Sequence, residues 1–317
     1  MDKTDKASAL SANQSTLVQF MSDFQSKLWF TYRKDMARME PSFYTSDAGW
    51  GCMMRTGQSL VAQAFVHVIL GRDWRVNVPS PEEHAQKYRT LLSWFADEPE
   101  WPYSIHNIAK AGQALDKRVG EWFGPSTAAH AFKRLSQRHQ DCPLTIMVPM
   151  DNSIRTSDII HAALSADMDK VGVMPEHQDS SDSEKWKPVL LLMPARFGLD
   201  KLTERYIGNL RKLFTLPQFL GIAGGRPGRS LYFVGSQGNE LFYLDPHTVK
   251  ARALHDELLN YPAASYHCNV VRSMDILEMD PSMMLGFLIE SAKDLANLSS
   301  RLKNDMERGY PLLTIIE

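Results

Sequence analysis

The stretch SDAGWGCMMRTGQSLVAQAFVHVILG, residues 46–71, carries the clearest pattern in the chain. Val61, Ala64, Phe65, Val68 and Ile69 recur at i, i+3, i+4, i+7 and i+8, the spacing of one buried helix face, and Gly71 is a natural stop. Ahead of the periodic part, Ser46, Asp47, Gly49 and Gly51 let the chain turn tightly into a helix start, and Cys52 stands at that start. A helix dipole and its unpaired N–H groups stabilise a thiolate there and lower its pKa. The same N–H groups can face a developing oxyanion. A cysteine at a helix start is also an ordinary structural arrangement, so the pattern alone leaves both readings open.

Outward from this helix the chain reads as mixed. Helical patterns cover residues 82–97 and 126–138, and later Leu202, Tyr206, Leu210 and Leu213, with a last helix carrying Leu295, Leu298 and Leu302. Short apolar runs at Leu144–Val148, Val189–Met193, Leu231–Val234 and Leu241–Leu244, separated by Gly, Pro or Asn, read as strands. Helices first and strands later indicate α+β rather than a doubly wound sheet. Residues 1–15 are polar and read as a disordered tail, with no apolar core for a signal peptide or anchor. The polar stretch 176–187 reads as a mobile surface loop. The expected organisation is a tail over 1–15, one domain over 16–305 and a C-terminal tail over 306–317.

Composition narrows the chemistry. The 317 residues are 44% hydrophobic and 23% charged, enough for a large buried core. Lys and Arg number 35 against 37 Asp and Glu, a formal charge of −2. That balance gives no electrostatic reason to expect nucleic acid or an anionic membrane as the main partner. Three cysteines, Cys52, Cys142 and Cys268, argue against a disulfide framework and a four-cysteine zinc site, and fit a reducing compartment, the cytoplasm first. Cys142 and Cys268 lie at or inside expected strands and read as buried structural thiols.

A thiolate enzyme needs a base. Of the 10 histidines, His247 differs, because LFYLDPHTV places it at the end of an apolar strand. Asp245 is two residues earlier, and i and i+2 project to the same side of a strand. Pro246 between them fixes φ and stiffens the turn. A carboxylate beside an imidazole can orient its tautomer and stabilise the imidazolium. The tripeptide by itself is equally a plain turn.

Taken together, WFTYRK (29–34), GWGCMMRTGQ (49–58), EWFGPST (121–127) and YLDPHT (243–248) resemble the autophagin family, the Atg4 cysteine proteases of autophagy. PYSIHNIA (102–109), PQFLGIAGGRPG (217–228) and LEMDPSMMLGF (277–287) have counterparts in that family, in matching order. The resemblance implies a papain-like cysteine protease core with a small auxiliary subdomain. It implies cleavage of Atg8-type ubiquitin-like proteins after a glycine near the C-terminus, and their release from phosphatidylethanolamine, with no metal or organic cofactor. By position, Cys52 would be the nucleophile, His247 the base and then acid, and Asp245 its orienting partner. Tyr32 would help the Cys52 N–H form the oxyanion hole. Trp122 and Gly224, Gly225, Arg226 and Pro227 would cover the substrate groove, and Leu199 would contact the substrate. Without the resemblance, Trp122 and Leu199 are core residues and GGRPG is a surface turn.

A monomer that meets the membrane only through a lipid-linked substrate is the expectation. A Ufm1-type protease, which shares Asp-Pro-His, and a catalytically inactive Atg8-binding protein are the alternatives. Many relatives carry a cysteine where this chain has Thr56, which leaves redox regulation at that position open. The sequence Tyr310-Pro311-Leu312-Leu313 matches the aromatic-x-x-aliphatic pattern of Atg8-binding peptides.

Overall fold

The computed structural model describes residues 3–164, 186–226, 228–260, 263–307 and 309–316. The chain begins with α1 (Lys3–Ser26), followed by the short strand β1 (Tyr32–Lys34) and the central helix α2 (Cys52–Leu70). The helices α3 (Glu82–Ser93), α4 (Ile105–Gln113) and α5 (Pro125–Arg138) come next. Then the strands begin: β2 (Thr145–Met147), β3 (Ser153–Arg155), and, after α6 (Thr156–Leu164), β4 (Val189–Arg196). After α7 (Ile207–Leu213) come β5 (Phe219–Arg226), β6 (Arg229–Gln237), β7 (Glu240–Leu244) and β8 (Val249–Ala251). The chain closes with α8 (His255–Asn260), β9 (Arg272–Asp275), β10 (Ser282–Ile289), α9 (Ala292–Asn304) and β11 (Thr314–Ile316).

Among the described residues a seven-stranded sheet runs β2-β4-β10-β5-β6-β7-β9, antiparallel except for the parallel pair β2–β4. Because successive strand residues face opposite ways, each central strand feeds two cores. Leu190 and Leu192 of β4 join one hydrophobic cluster with the helices of the first half, while Val189, Leu191 and Met193 join another on the opposite face. Both faces are therefore covered, which explains the unbroken apolar run SMMLGFLI of β10. The α+β reading holds.

The central helix departs from its one-faced reading. From Cys52 to His67 every residue of α2 is buried, and Val68 and Ile69 are the partly exposed ones. A helix buried on every side belongs in the middle of a core. Small residues admit it: a Cβ on Gly286 of β10 would stand 2.6 Å from Leu60 Cδ2. The left-handed Gly71 (φ 87°) ends it, its N–H bonded to His67 O at 3.1 Å.

Both ends of the chain carry regular structure. The backbone is helical from Lys3, where residues 1–15 read as disordered. At the other end, Leu312 and Leu313 are buried in the second core and β11 pairs in parallel with β3, Thr314 opposite Ser153. The expected loop at 176–187 lies outside the described residues except for Trp186 and Lys187.

Candidate active site

Three chain segments meet at the start of α2. Gly51 precedes the helix at φ −84° without a side-chain cap, so the first N–H groups have no intrahelical partner and face the surroundings of Cys52. Gly51 is required here, since a Cβ would come within 2.7 Å of Asp47 Cβ. His247 follows β7, and its Nδ1 stands 2.5 Å from Asp245 Oδ1, which also accepts from the His247 main-chain N–H at 3.0 Å. Trp29 Nε1–H holds the Asp245 carbonyl at 2.7 Å. The third segment is β1, where Tyr32 N–H donates to Pro246 O at 2.9 Å and the Tyr32 ring meets the His247 ring edge-on, centroids 5.4 Å apart.

Electrostatics follow from this packing. Burial pushes the Cys52 thiol up, but hydrogen bonding to His247, to the Ser230 main chain and to Tyr32, together with the His247 charge, brings it below the ordinary thiol value. Burial works against the His247 cation, yet Asp245 and Cys52 outweigh it and raise the imidazole to about 9. Asp245 is held below the usual carboxylate range by its bonds to His247 despite burial. Burial and the neighbouring Cys52 raise the Tyr32 hydroxyl, keeping it a protonated donor. With Nδ1 taken by Asp245, Nε2 is the nitrogen left to serve Cys52 and a group entering beside it. Together these groups favour a thiolate beside an imidazolium, with N–H and O–H donors nearby.

Above the thiol lies a cavity of about 260 Å³ lined by Cys52, Trp122, Gly224, Gly225, Gly228 and Ser230 among others. Trp122 is 56% exposed, bonds Gly49 O through Nε1–H at 2.7 Å, and lies so close to the β5–β6 turn that a Cβ on Gly228 would be 2.8 Å from its ring. Arg226 pairs with Glu278, and Gly225 O accepts from Asp280 N–H, fixing the turn to its neighbours. Pro227 lies outside the described residues. Leu199, 81% exposed, does not line the cavity; Arg196 links it by bonding both Leu199 O and Ser282 Oγ, and Ser282 is on the wall. Cys142 and Cys268 are buried, free and elsewhere, bonded to Leu144 O and Val270 O.

Residues that sequence reasoning passed over hold the three segments together. Asp47 Oδ1 accepts from Arg33 N–H at 2.7 Å, beside Tyr32, and Arg55 Nε–H donates to Asp47 Oδ2 at 2.7 Å. The same Arg55 reaches Asp97 Oδ1 at 3.0 Å, and Asp97 Oδ2 accepts from Ala253 N–H at 2.8 Å just past β8. Arg55, Asp47 and Asp97 are essentially inaccessible. The available signal was a charged residue inside an otherwise buried helix, which is seldom found there unless paired. Among the described residues no group of three His, Cys, Asp or Glu is arranged to hold a metal ion.

The family model of the peptidase C54 catalytic domain matches residues 17–301. The chain is 36% identical over 307 residues to the cysteine protease ATG4B of Xenopus laevis, covering 94% of this chain and 79% of that protein. It is 36% identical over 300 residues to ATG4A of Bos taurus, covering 91% and 75%, and 35% identical over 316 residues to ATG4B of Gallus gallus, covering 94% and 80%. With Cys52 set at a helix start beside an Asp-oriented imidazole, these matches lead to one conclusion: the chain belongs to the peptidase C54 family and is a cysteine protease of the Atg4 type.

Proposed function

We propose that this protease cleaves Atg8-type ubiquitin-like proteins after a glycine near their C-terminus, both priming the precursor and releasing the protein from phosphatidylethanolamine. The observation that carries the reading is Cys52 beside the His247–Asp245 pair, under a cleft walled by Trp122 and four glycines.

Cys52 Sγ attacks the glycine carbonyl carbon. The oxyanion is met by the Cys52 N–H at the uncapped end of α2 and by the Tyr32 hydroxyl, donors already in place before the charge develops. Nε2–H of His247 gives its proton to the leaving nitrogen, the C–N bond breaks and a thioester remains. Water then gives a proton to His247 and attacks the thioester, and the Cys52 thiolate departs. Asp245 holds the ring in the tautomer that presents Nε2 to the reaction.

Trp122 over Gly228, with Gly224 and Gly225 beside it, leaves little room for a side chain on the residue before the cut. A substrate with alanine there should lose roughly 10- to 200-fold in kcat/KM. A peptide and a lipid amine both fit the chemistry, since each leaves as a nitrogen that His247 can protonate. The enzyme would act as a cytoplasmic monomer, reaching membranes through its lipid-linked substrate; no described helix is long and apolar enough to cross one.

The test is incubation of an Atg8 precursor and its lipid-linked form with the reduced enzyme, followed by mass analysis. A product ending in glycine that is lost with Cys52→Ala supports the reading, and an intact precursor after prolonged incubation overturns it.

A further inference from the structure

Thr56 stands one helical turn after Cys52 and is 1% exposed. Its Oγ1 turns back to Met53 O at 3.2 Å, as a threonine inside a helix commonly does. It also lies 2.7 Å from Ser230 Oγ, a contact from α2 across to β6. Ser230 is 6% exposed, and its Oγ reaches Met53 Sδ at 3.8 Å. Met53, Thr56 and Ser230 thus form a small polar link in an otherwise apolar wall, next to the reactive sulfur. The Ser230 main chain hydrogen-bonds the Cys52 thiol, and Cys52, Met53 and Ser230 line the same cleft.

Nothing in the packing demands hydroxyls at these two positions. Valine has the shape of threonine, and alanine would leave almost no void in place of serine. Two buried hydroxyls that satisfy each other add little net stability, and either one alone is a cost. What the pair supplies is direction. Apolar contact lets a strand slide by several tenths of an ångström over a helix, whereas a 2.7 Å hydrogen bond fixes one atom of β6 against one atom of α2.

We propose that the Thr56–Ser230 hydrogen bond is a positioning device that locks β6 against α2 and keeps the Ser230 main chain within reach of the Cys52 sulfur. The proposal rests on the reading of Cys52 as the nucleophile. Thr56 does not line the cleft; it acts on the Cys52 sulfur through Ser230. Ser230 directly follows Arg229, where β6 leaves the turn that carries Gly228 under Trp122, so a shift of that turn is felt at the thiol through the same bond.

The test is the pH dependence of Cys52 alkylation by iodoacetamide, located by peptide mapping, in wild type, Thr56→Val, Thr56→Ser, Ser230→Ala and the Thr56→Val/Ser230→Ala double variant. Thr56→Val and Ser230→Ala should each raise the midpoint by roughly half to one pH unit, the worth of one hydrogen bond. The double variant should go no further, and Thr56→Ser should restore the wild-type midpoint. A folded Thr56→Val protein with a wild-type midpoint, or additive shifts in the double variant, overturns the proposal. If Thr56→Val fails to fold, Ser230→Ala alone decides by the same criterion. A wild-type midpoint near that of a free thiol, about 8.5, would instead overturn the nucleophile reading and the proposal with it; a low wild-type midpoint unmoved by either variant overturns the pair alone.

Discussion

Asp245 shows how one side chain sets the working range of the site. It accepts both the main-chain N–H and Nδ1 of His247, and with Cys52 it raises the imidazole to about 9 while the thiol falls below its ordinary value. Thiolate and imidazolium therefore coexist between two macroscopic transitions that belong to the pair. The acid limb of kcat/KM should reflect loss of the thiolate, and the alkaline limb should lie near pH 9, where the imidazolium loses its proton. Asp245→Asn should move the alkaline limb down toward the ordinary histidine range and lower kcat/KM by about two to four orders of magnitude. The sign for stability is the same: a histidine raised from 6.5 to about 9 contributes fully below pH 6.5 and loses that contribution as pH rises through 9.

At the scale of elements, the site depends on how α2, β1 and β8 are lashed together. Arg55 on α2 holds Asp47 before the helix and Asp97 after α3, and these carboxylates in turn hold the main chain at Arg33 and Ala253. Flanking charges compensate its burial and hold the guanidinium protonated. Arg55→Met would leave Asp47 buried without its cation and Asp97 with only the more distant Arg33, 3.8 Å away. It should cost about 3–5 kcal/mol in urea unfolding and should lower activity, since the start of α2 and the main chain beside Tyr32 lose their shared anchor. The elements that sequence reading found, α2, α3, α5, β2, β4, α7, β6, β7 and α9, carry regular periodicity or short isolated apolar runs. Those it missed have physical reasons. The glycines in FLGIAGGR dilute the strand signal of β5, and β10 is apolar on both faces, so it shows no alternation. Two turns of helix, as in α4 and α6, are too short for a periodic pattern to stand out.

At the scale of the whole molecule, the two cores on opposite faces of one sheet explain why the ends of the chain matter. Leu313 is 3% exposed and packed in the second core, while Tyr310 is 39% exposed, so Tyr310–Leu313 is not displayed as a free peptide. Leu313→Ala should cost about 2–4 kcal/mol in chemical denaturation with the site unchanged. Acid sensitivity is also global. His67 is buried in α2, hydrogen-bonded to Gln63 at 3.0 Å, and burial with Arg72 and Lys27 nearby lowers it to about 3. The unfolded chain takes up a proton that the folded one refuses, so stability falls as pH drops below 6.5. By pH 5 the penalty approaches about 2 kcal/mol, and His67→Gln should flatten that slope in urea titrations at pH 7.5 and 5. The sequence by itself determined the mixed class, the central helix, the cysteine at its start and the Asp-Pro-His turn, because periodicity, capping and i, i+2 spacing are local properties of the chain. The contact of Tyr32 with a histidine some two hundred positions away, the anchoring of β1 and α2 by Arg55, Asp47 and Asp97, and the Thr56–Ser230 bond were decided by the tertiary structure alone. Each joins residues far apart in the chain, and no local pattern records which distant partner will satisfy a buried charge or hydroxyl.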